Sequence, residues 1–253
     1  MSDTKPFSGL TALVTGASRG IGAAAAVSFA AHGADVLIHY NSEEAGAKAA
    51  LDGVRAHGVQ GELLRADLST MDGVHALTHA LAGRGIDILI NNAGSLIRRT
   101  RVLEFTEELW SQVMTLNLTS AFFIAQAVLP GMVERKSGCI VNISSVAARN
   151  GGGLGALAYS SAKAALSTMT KGMAKEFAPQ GIRVNAVSPG TIDTNFHRVF
   201  STEQMLNNVK AATPAGRLGS SEETADVIVF LCTDAARFIH GQVIEVNGGF
   251  LMV

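Results

Sequence analysis

Short apolar runs alternate with helical patterns from one end of the chain to the other, and this alternation restricts the fold more than any other feature. It predicts strands at 10–15, 35–39, 61–66, 86–90, 139–143, 183–187 and 242–246. Helices are predicted at 20–32, 45–57, 70–82, 106–135, 156–170 and 222–231, with Pro130 bending or ending the fourth. Continuous apolar strands between helices are typical of a parallel sheet covered on both faces. The sequence therefore predicts an α/β fold: one doubly wound domain over residues 1–253, built on a seven-stranded parallel sheet.

The composition argues against several classes of protein. Of the 253 residues, 47% are hydrophobic and 16% are charged, which favours a large buried core over disorder. The net charge is −1 and no basic block is present, so nucleic acid is not an expected partner. Gly or polar residues interrupt each apolar run before the ~20 residues of a membrane span, so no membrane segment is expected.

Cysteine and histidine usage predicts a metal-free protein of a reducing compartment. Cys139 and Cys232 lie in apolar stretches without a Cys-x-x-Cys partner, which is typical of buried thiols in the cytoplasm. His75 and His79 are four apart on a predicted helix, but no third ligand accompanies them.

A glycine-rich loop stands between the first predicted strand and the first helix. Its spacing is Gly-x-x-x-Gly-x-Gly, and its candidate binding residues are Gly16, Ser18, Arg19, Gly20, Ile21 and Gly22. Glycines at such a junction let the backbone turn tightly and approach a pyrophosphate at a helix N-terminus. The alternative is a tight turn that binds nothing. The position in the chain favours a dinucleotide.

The end of the second strand favours NADP(H) over NAD(H). An acid that would bind a ribose hydroxyl is expected there, but Tyr40, Asn41 and Ser42 occupy the place. Arg19 is available to pair with a 2′-phosphate. NAD(H) stays possible because Glu43 follows directly.

Two further strand ends carry candidate cofactor contacts. Asp67 and Leu68 follow the third strand, where Asp67 is expected to meet the adenine amino group or to cap the next helix. Asn92, Ala93 and Gly94 follow the fourth strand.

Tyr159 and Lys163 form a possible acid–base pair. Four residues apart on a helix, they lie on one face about one turn from each other. Lowering a phenol pKa from ~10 to about 7 requires roughly 4 kcal/mol. One cation at about 4 Å in an effective dielectric of ~20 supplies an energy of that order.

Together, the glycine loop, Asn92-Ala93-Gly94 and Tyr159 with Lys163 resemble the short-chain dehydrogenase/reductase family over nearly the whole chain. The resemblance implies a Rossmann domain and two more catalytic residues. One is a serine at the end of the fifth strand, for which Ser145 fits and Ser144 stays open. The other is Asn117 in the long helix, although a satisfied core amide is the alternative there.

The resemblance also implies a role for each residue. Tyr159 would donate a proton to the substrate carbonyl, and Lys163 would lower the tyrosine pKa and hold the nicotinamide ribose. Ser145 would bind the carbonyl oxygen, and Asn117 would anchor a water that relays protons. The turn after the sixth strand, Pro189, Gly190, Thr191 and Ile192, would face the nicotinamide, with the carboxamide bound by Thr191 and, as a further candidate, Ile192. An ordinary proline turn is the alternative there.

Within the family, the chain looks most like bacterial β-ketoacyl-acyl-carrier-protein reductases. The expected substrate is therefore a small carbonyl compound or alcohol, with a carrier-bound β-ketoacyl thioester preferred. Arg135, Lys136 and Lys175 are candidate contacts for an acidic carrier protein. Sugar, polyol or steroid dehydrogenases are the alternative, and a non-catalytic NADP(H)-binding sensor is a third.

The remaining expectations concern the rim of the site and the assembly. Residues at about 191–215 have the composition of a lid, and a pair of surface helices is the alternative. Leu96 and Ile97 would line an apolar pocket, whereas Arg98 and Arg99 would meet an anionic substrate or, as the favoured alternative, solvent. The C-terminal segment 241–249 resembles the family's tetramer-forming strand and implies a homotetramer.

Overall fold

Seven parallel strands form a single sheet. They are β1 (Thr11–Val14), β2 (Asp35–Tyr40), β3 (Gly61–Arg65), β4 (Ile88–Asn91), β5 (Gly138–Ile143), β6 (Ile182–Pro189) and β7 (Val243–Val246), and their order across the sheet is β3-β2-β1-β4-β5-β6-β7. The computed structural model describes residues 5–253, apart from the side chains of Asn195, His197 and Arg198. The sheet confirms the predicted doubly wound α/β fold.

Ten α-helices accompany the strands within the described part of the chain. They are α1 (Gly20–Ala31), α2 (Glu44–Arg55), α3 (Met71–Ala80), α4 (Glu107–Met114), α5 (Ser120–Arg135), α6 (Ala147–Asn150), α7 (Leu157–Phe177), α8 (Asn195–Phe200), α9 (Glu203–Ala212) and α10 (Ser221–Cys232). The short helix α6 was not predicted, whereas α8 and α9 match the alternative of a helix pair in the predicted lid segment. Threonine or serine caps begin several others, including a capping box at Ser220 and Glu223 before α10.

A π-helical turn, Thr115–Thr119, joins α4 to α5 without a break. Pro130 lies inside α5, so the prediction that it could end the helix was wrong: the helix continues to Arg135. By length and composition alone, Glu107–Arg135 is also apolar enough to cross a membrane, which the sequence analysis did not anticipate. Its buried side chains pack against the sheet and α3, as core helices do.

The two faces of the sheet carry separate hydrophobic clusters because side chains alternate along each strand. Val14 and Ile38 lie in the cluster under α1, α2 and α10, whereas Leu13 and Leu37 lie in the cluster under α3, α5 and α7. Both faces are therefore buried, which explains why the strands are apolar throughout.

The two cysteines are buried, as predicted, and lie against each other. Cys139 is on β5, and Cys232 ends α10. The Cys139 thiol donates to the Leu231 oxygen at 3.6 Å, and burial raises the pKa of Cys232 well above its usual value.

The order of the strands reverses between β1 and β4, which pair directly through Val14 and Ile90. In doubly wound sheets, ligands bind beyond the carboxyl ends of the strands at such a reversal. The loops that follow β1, β4, β5 and β6 leave the sheet at this edge.

Candidate active site

One cavity of about 860 Å³ at this edge contains both predicted halves of the site. Its size is in the usual range for a small-molecule pocket. The predicted residues that line it are Gly16, Ser18, Arg19, Gly20, Ile21, Asn41, Ser42, Asp67, Leu68, Asn92, Ala93, Gly94, Ser145, Tyr159, Lys163, Pro189, Gly190, Thr191 and Ile192. Gly22, Tyr40 and Asn117 lie behind this lining.

The glycine loop presents backbone to the cavity. Gly16 and Gly20 have φ values of +64° and +58°, a region that favours glycine. A Cβ on Gly16 would lie 2.9 Å from the Cα of Ala93, so a larger residue would separate the two loops. No side chain caps the N-terminus of α1, which leaves its first N–H groups available for an anion. These features fit the pyrophosphate of a dinucleotide.

Asn92 holds the glycine loop in place. Its Nδ2 donates to the main-chain oxygens of Thr15 at 2.8 Å and Gly16 at 3.0 Å. The Thr15 hydroxyl in turn accepts from the amides of Asn92 and Ala93, both at 3.0 Å. The motif after β4 is thereby tied to the loop after β1.

Tyr40 does not face the cofactor side, contrary to the prediction. Its side chain is buried in the core cluster under α1 and α2. Strand alternation explains the difference, because Ile38 and Tyr40 point to the same face of β2. The residues that line the cavity here are His39, Asn41, Ser42 and Glu43.

An ion pair stands where a 2′-phosphate was expected to bind. Arg19 Nη1 lies 3.5 Å from Glu43 Oε1, and both side chains are more than half exposed. An exposed pair of this kind contributes little stability. The Arg19 guanidinium is therefore easily transferred to a stronger anion.

Asp67 forms a local turn rather than a helix cap. Its Oδ1 accepts from the amide and the hydroxyl of Ser69 at 3.0 and 2.7 Å. The cap of α3 is Thr70, whose hydroxyl accepts from the Gly73 amide. The alternative that Asp67 caps the helix is thus wrong.

His39 is a residue that the sequence analysis missed. It is 2% exposed and bridges the glycine loop to the end of β3: Nδ1 lies 3.1 Å from the Gly16 amide nitrogen, and Nε2 lies 3.1 Å from the Ala66 oxygen. Burial lowers the pKa of His39 to about 4.

Tyr159 and Lys163 lie one turn apart on α7, as predicted. The Lys163 Nζ is 5.7 Å from the centre of the Tyr159 ring and donates to the Ile143 oxygen at 2.7 Å. Lys163 is 2% exposed, and Tyr159 is half-buried.

The prediction that Lys163 lowers the pKa of the Tyr159 phenol was wrong. Burial raises the pKa of Tyr159 to about 12, against a smaller lowering by a hydrogen bond with Ser145. Burial also lowers the pKa of Lys163 to about 7. The ammonium is directed at a main-chain oxygen and is only partly charged near neutral pH, so its field on the phenol is weak.

The two serines after β5 have different surroundings. The Ser144 hydroxyl is buried and bonds to the Lys163 oxygen at 3.1 Å and to Ser167 Oγ at 2.7 Å. The Ser145 hydroxyl accepts from the Ala147 amide at 3.1 Å and is the group whose hydrogen bonding lowers the pKa of Tyr159. Both serines line the cavity, but the Ser144 hydroxyl is bonded to groups of α7.

Asn117 occupies the π-helical turn and is 1% exposed. Its Oδ1 accepts from the Ser95 amide at 3.1 Å, and its Nδ2 donates to the oxygens of Ser95 and Val113, both at 2.8 Å. A Cβ on Gly94 would lie 2.7 Å from Asn117 Oδ1 and 2.9 Å from Lys163 Nζ. The absence of a side chain at Gly94 therefore brings these two polar groups near each other. π-turns are frequent at functional sites.

Apolar side chains cover the part of the cavity around Tyr159. The Phe196 ring on α8 lies 5.8 Å from the Tyr159 ring and 5.0 Å from the Phe200 ring. Other apolar side chains complete this wall: Leu96, Ile97, Val146, Val199, Met205 and Leu206.

Ile97 adopts an unusual backbone within this wall. Its φ is +60°, which is strained for a β-branched residue. The Arg98 amide donates to the Leu96 oxygen at 2.6 Å across a tight turn, and the Ile97 amide donates to Ser95 Oγ at 3.0 Å. The strained turn packs Ile97 into the cluster that contains Tyr159.

Arg99 is not a solvated charge, contrary to the favoured interpretation. Its Nε donates to the Phe200 oxygen at 2.6 Å and its Nη1 to the Leu154 oxygen at 2.8 Å. It connects the end of α8 to the loop before α7.

Among the residues that the structure describes, no group of three or more His, Cys, Asp or Glu side chains is arranged to hold a metal ion. The side chain of His197 lies outside this description.

Comparisons with known proteins agree over almost the full chain. The family model described as Enoyl-(Acyl carrier protein) reductase matches residues 16–251. The 3-oxoacyl-[acyl-carrier-protein] reductase FabG of Escherichia coli (strain K12) is 40% identical over 247 residues, which cover 98% of this chain and 99% of that protein. The FabG of Aquifex aeolicus (strain VF5) is 42% identical over 249 residues, which cover 95% and 97%. A solved structure of a candidate 2-deoxy-d-gluconate 3-dehydrogenase from Agrobacterium tumefaciens with bound NADP has a TM-score of 0.89 and 35% identity, covering 98% of this chain and 99% of that one.

Proposed function

Since the chain belongs to the short-chain dehydrogenase/reductase family and is an NAD(P)-dependent oxidoreductase, we propose that it uses NADPH to reduce the ketone of β-ketoacyl thioesters. The observation that carries the proposal is the apolar surface beside Tyr159: the Phe196 ring lies 5.8 Å from the Tyr159 ring, and Ile97 packs on the same cluster. Leu96 and Val199 line the same cavity. An acyl chain buries favourably against such a wall, whereas a polyol would lose hydrogen bonds to water there. The names of the curated relatives support the same substrate class.

The residues around the phenol suit proton donation. With a pKa of about 12, Tyr159 keeps its proton at neutral pH and can give it to the much more basic alkoxide that forms from a ketone. The Ser145 hydroxyl, bonded to the same phenol, would stabilise the negative charge on that oxygen. When bound, the nicotinamide supplies the hydride.

Lys163 and Asn117 would act behind the phenol. The Lys163 pKa of about 7 lets its amine take up and release a proton at neutral pH, so it can resupply Tyr159. Asn117 fixes the loop that carries Gly94 and Ser95 beside Lys163. The turn Pro189, Gly190, Thr191 and Ile192 is proposed to bind the carboxamide.

NADP(H) is the proposed cofactor. Arg19 at the start of α1 lines the cavity, and its pair with Glu43, which follows the end of β2, is weak. The bound NADP of the Agrobacterium tumefaciens protein supports this preference.

A sugar-acid dehydrogenase is the second candidate, favoured by the description of that same solved structure. Arg99 would be the group to receive a carboxylate, but two main-chain oxygens already accept from its guanidinium. We therefore rank it below the thioester reductase.

The assembly and the carrier protein are further parts of the proposal. Trp110 on α4 and Phe122 on α5 are 40% and 42% exposed, and Phe238 is 98% exposed, which supports burial of these faces in a homotetramer. Of the predicted carrier contacts, Lys136 and Lys175 are exposed, whereas Arg135 pairs with Asp87 at 3.2 Å. A cytoplasmic location stays a prediction.

Two absorbance assays test the function: loss of NADPH with acetoacetyl-CoA, and formation of NADPH from NADP+ with gluconate or 2-deoxygluconate. Tyr159→Phe should abolish thioester reduction, by roughly 10³-fold or more, and leave NADPH binding intact. Tyr40→Phe is the matched control, because it removes the chain's other phenol from the core. Activity confined to the sugar acids would overturn the thioester assignment. Cofactor binding without turnover on any carbonyl would favour the sensor.

A further inference from the structure

His39 lies where three parts of the cofactor side meet. Its main-chain oxygen accepts from the Ala17 amide at 2.9 Å, and its imidazole lies 3.1 Å from the Gly16 amide nitrogen. The amides of Gly16 and Ala17, which are consecutive in the glycine loop, therefore both bond to this one residue on β2. The other ring nitrogen reaches Ala66, the residue before Asp67.

The two partners determine the tautomer of the ring. The Gly16 amide can only donate, so Nδ1 must be unprotonated and accept. The Ala66 oxygen can only accept, so Nε2 must carry the hydrogen and donate. Only the neutral Nε2–H imidazole satisfies both contacts. Burial disfavours the charged ring, and this effect exceeds the opposing attraction of Asp67.

The contacts extend to the adenosine side of the cavity and not to the side of Tyr159. Gly16 belongs to the loop that would hold the pyrophosphate, and Asp67 is the candidate adenine contact. An apolar residue at position 39 would leave a loop amide and a strand-end carbonyl without partners. The ring thus sets the separation between Gly16 and Asp67.

We propose that His39 is a positioning residue for the adenosine half of the cofactor, fixing the glycine loop and the Asp67 turn at the spacing that this half requires. The inference rests on the proposed nicotinamide dinucleotide. If His39 only filled the core, replacing it would lower the stability of the protein. It would not weaken the binding of one half of that ligand more than the binding of the other half.

Three substitutions separate the two contacts. His39→Asn retains a polar atom at the position of Nδ1, so its amide oxygen can still accept from Gly16. His39→Gln places its amide nitrogen at the reach of Nε2, so it can still donate to Ala66. His39→Leu removes both contacts. His57→Asn is the matched control, since His57 is exposed, follows the end of α2 and is not part of the cavity lining.

Binding of ligand fragments is the decisive measurement. The dissociation constants of NADPH, 2′,5′-ADP and reduced nicotinamide mononucleotide are compared by fluorescence and calorimetry, with the melting temperature of each unliganded protein. We expect His39→Leu to weaken the binding of 2′,5′-ADP and of NADPH about tenfold or more. His39→Asn and His39→Gln should weaken it less, because each retains one of the two hydrogen bonds. Binding of the mononucleotide and kcat at saturating NADPH should change less than about twofold.

Several outcomes would overturn the inference. One is equal weakening of both fragments together with a lower melting temperature, which indicates a purely structural role. Another is unchanged 2′,5′-ADP affinity in all three variants. If His39→Leu does not fold, the Asn and Gln variants decide by the same fragment comparison. A wild-type protein that binds neither NADPH nor NADH would instead defeat the proposed function itself.

Discussion

Lys163 Nζ donates to the main-chain oxygen of Ile143 at 2.7 Å, which ties the catalytic helix α7 to the last residue of β5. The bond holds the amine beneath the cavity at 2% exposure, and burial lowers its pKa to about 7. A buried ammonium with one neutral acceptor is unfavourable in a folded protein. Lys163 is thus retained at a cost in stability.

Replacing this lysine should therefore stabilise the protein while inactivating it. The folded pKa of about 7 lies below the ordinary lysine pKa of 10.5. Between these values the unfolded chain holds a proton that the folded chain has lost, so wild-type stability rises with pH across this window. We expect Lys163→Met to raise the melting temperature by about 4 °C at about pH 6, with a smaller gain toward pH 10. Scanning calorimetry at both pH values checks this, and a gain that did not shrink with pH would contradict it.

Gly94 should not tolerate a methyl group. In Gly94→Ala the new Cβ would lie 2.7 Å from Asn117 Oδ1 and 2.9 Å from Lys163 Nζ, so one of them must move. We expect kcat to fall about 100-fold, as is typical when a positioned group shifts by about 1 Å. Gly172→Ala on α7 is the control, since a Cβ there meets nothing within 4 Å and should stabilise the helix by about 0.5–1 kcal/mol. Equal kcat in the two variants would contradict the placement.

Asn41 is the position at which cofactor preference should change. A carboxylate in Asn41→Asp would repel a 2′-phosphate and accept from a ribose hydroxyl, so we expect the ratio of kcat/KM for NADPH to that for NADH to fall about tenfold or more. Arg19→Ala should lower NADPH efficiency selectively. Gln126→Glu, the same charge change on the exposed side of α5, should leave the ratio unaltered. A ratio that all three variants share with wild type would place the 2′-phosphate elsewhere.

Ile97 should restrict substituents next to the ketone. Ile97→Ala shortens the wall beside Tyr159, so relative kcat/KM for 2-methylacetoacetyl-CoA over acetoacetyl-CoA should rise about tenfold. Leu103→Ala, at a 99% exposed side chain, should not change this ratio. A parallel decline on both substrates would mean that Ile97 only supports the fold.

Local patterns in the sequence were sufficient for the sheet, the glycine loop and the order of the site motifs. In the glycine loop region, a strand, a glycine turn and a helix follow one another within a few residues. Short-range backbone geometry therefore determines where the loop lies. Tyr40 was misplaced because the end of a strand was treated as one unit, whereas alternate residues face opposite sides of the sheet.

Contacts between distant segments account for what the sequence could not show. His39 stands in an apolar strand, and its partners Gly16 and Ala66 are 23 and 27 residues away. Arg99 reaches Phe200 across 101 residues. The direction in which the pKa of Tyr159 shifts depends on burial, and the sequence spacing of Tyr159 and Lys163 does not reveal burial.

The π-helical turn Thr115–Thr119 accommodates about one residue more than a regular α-helix would hold at this point. If the turn closed to regular α-helix with all its residues kept, everything beyond it would rotate by about 100°. The apolar stripe of α5, with Ile124 and Val128, would then leave the sheet, or Asn117 would leave Ser95. The wider turn therefore lets one continuous helix bury its apolar face in the core and also place Asn117 near Lys163.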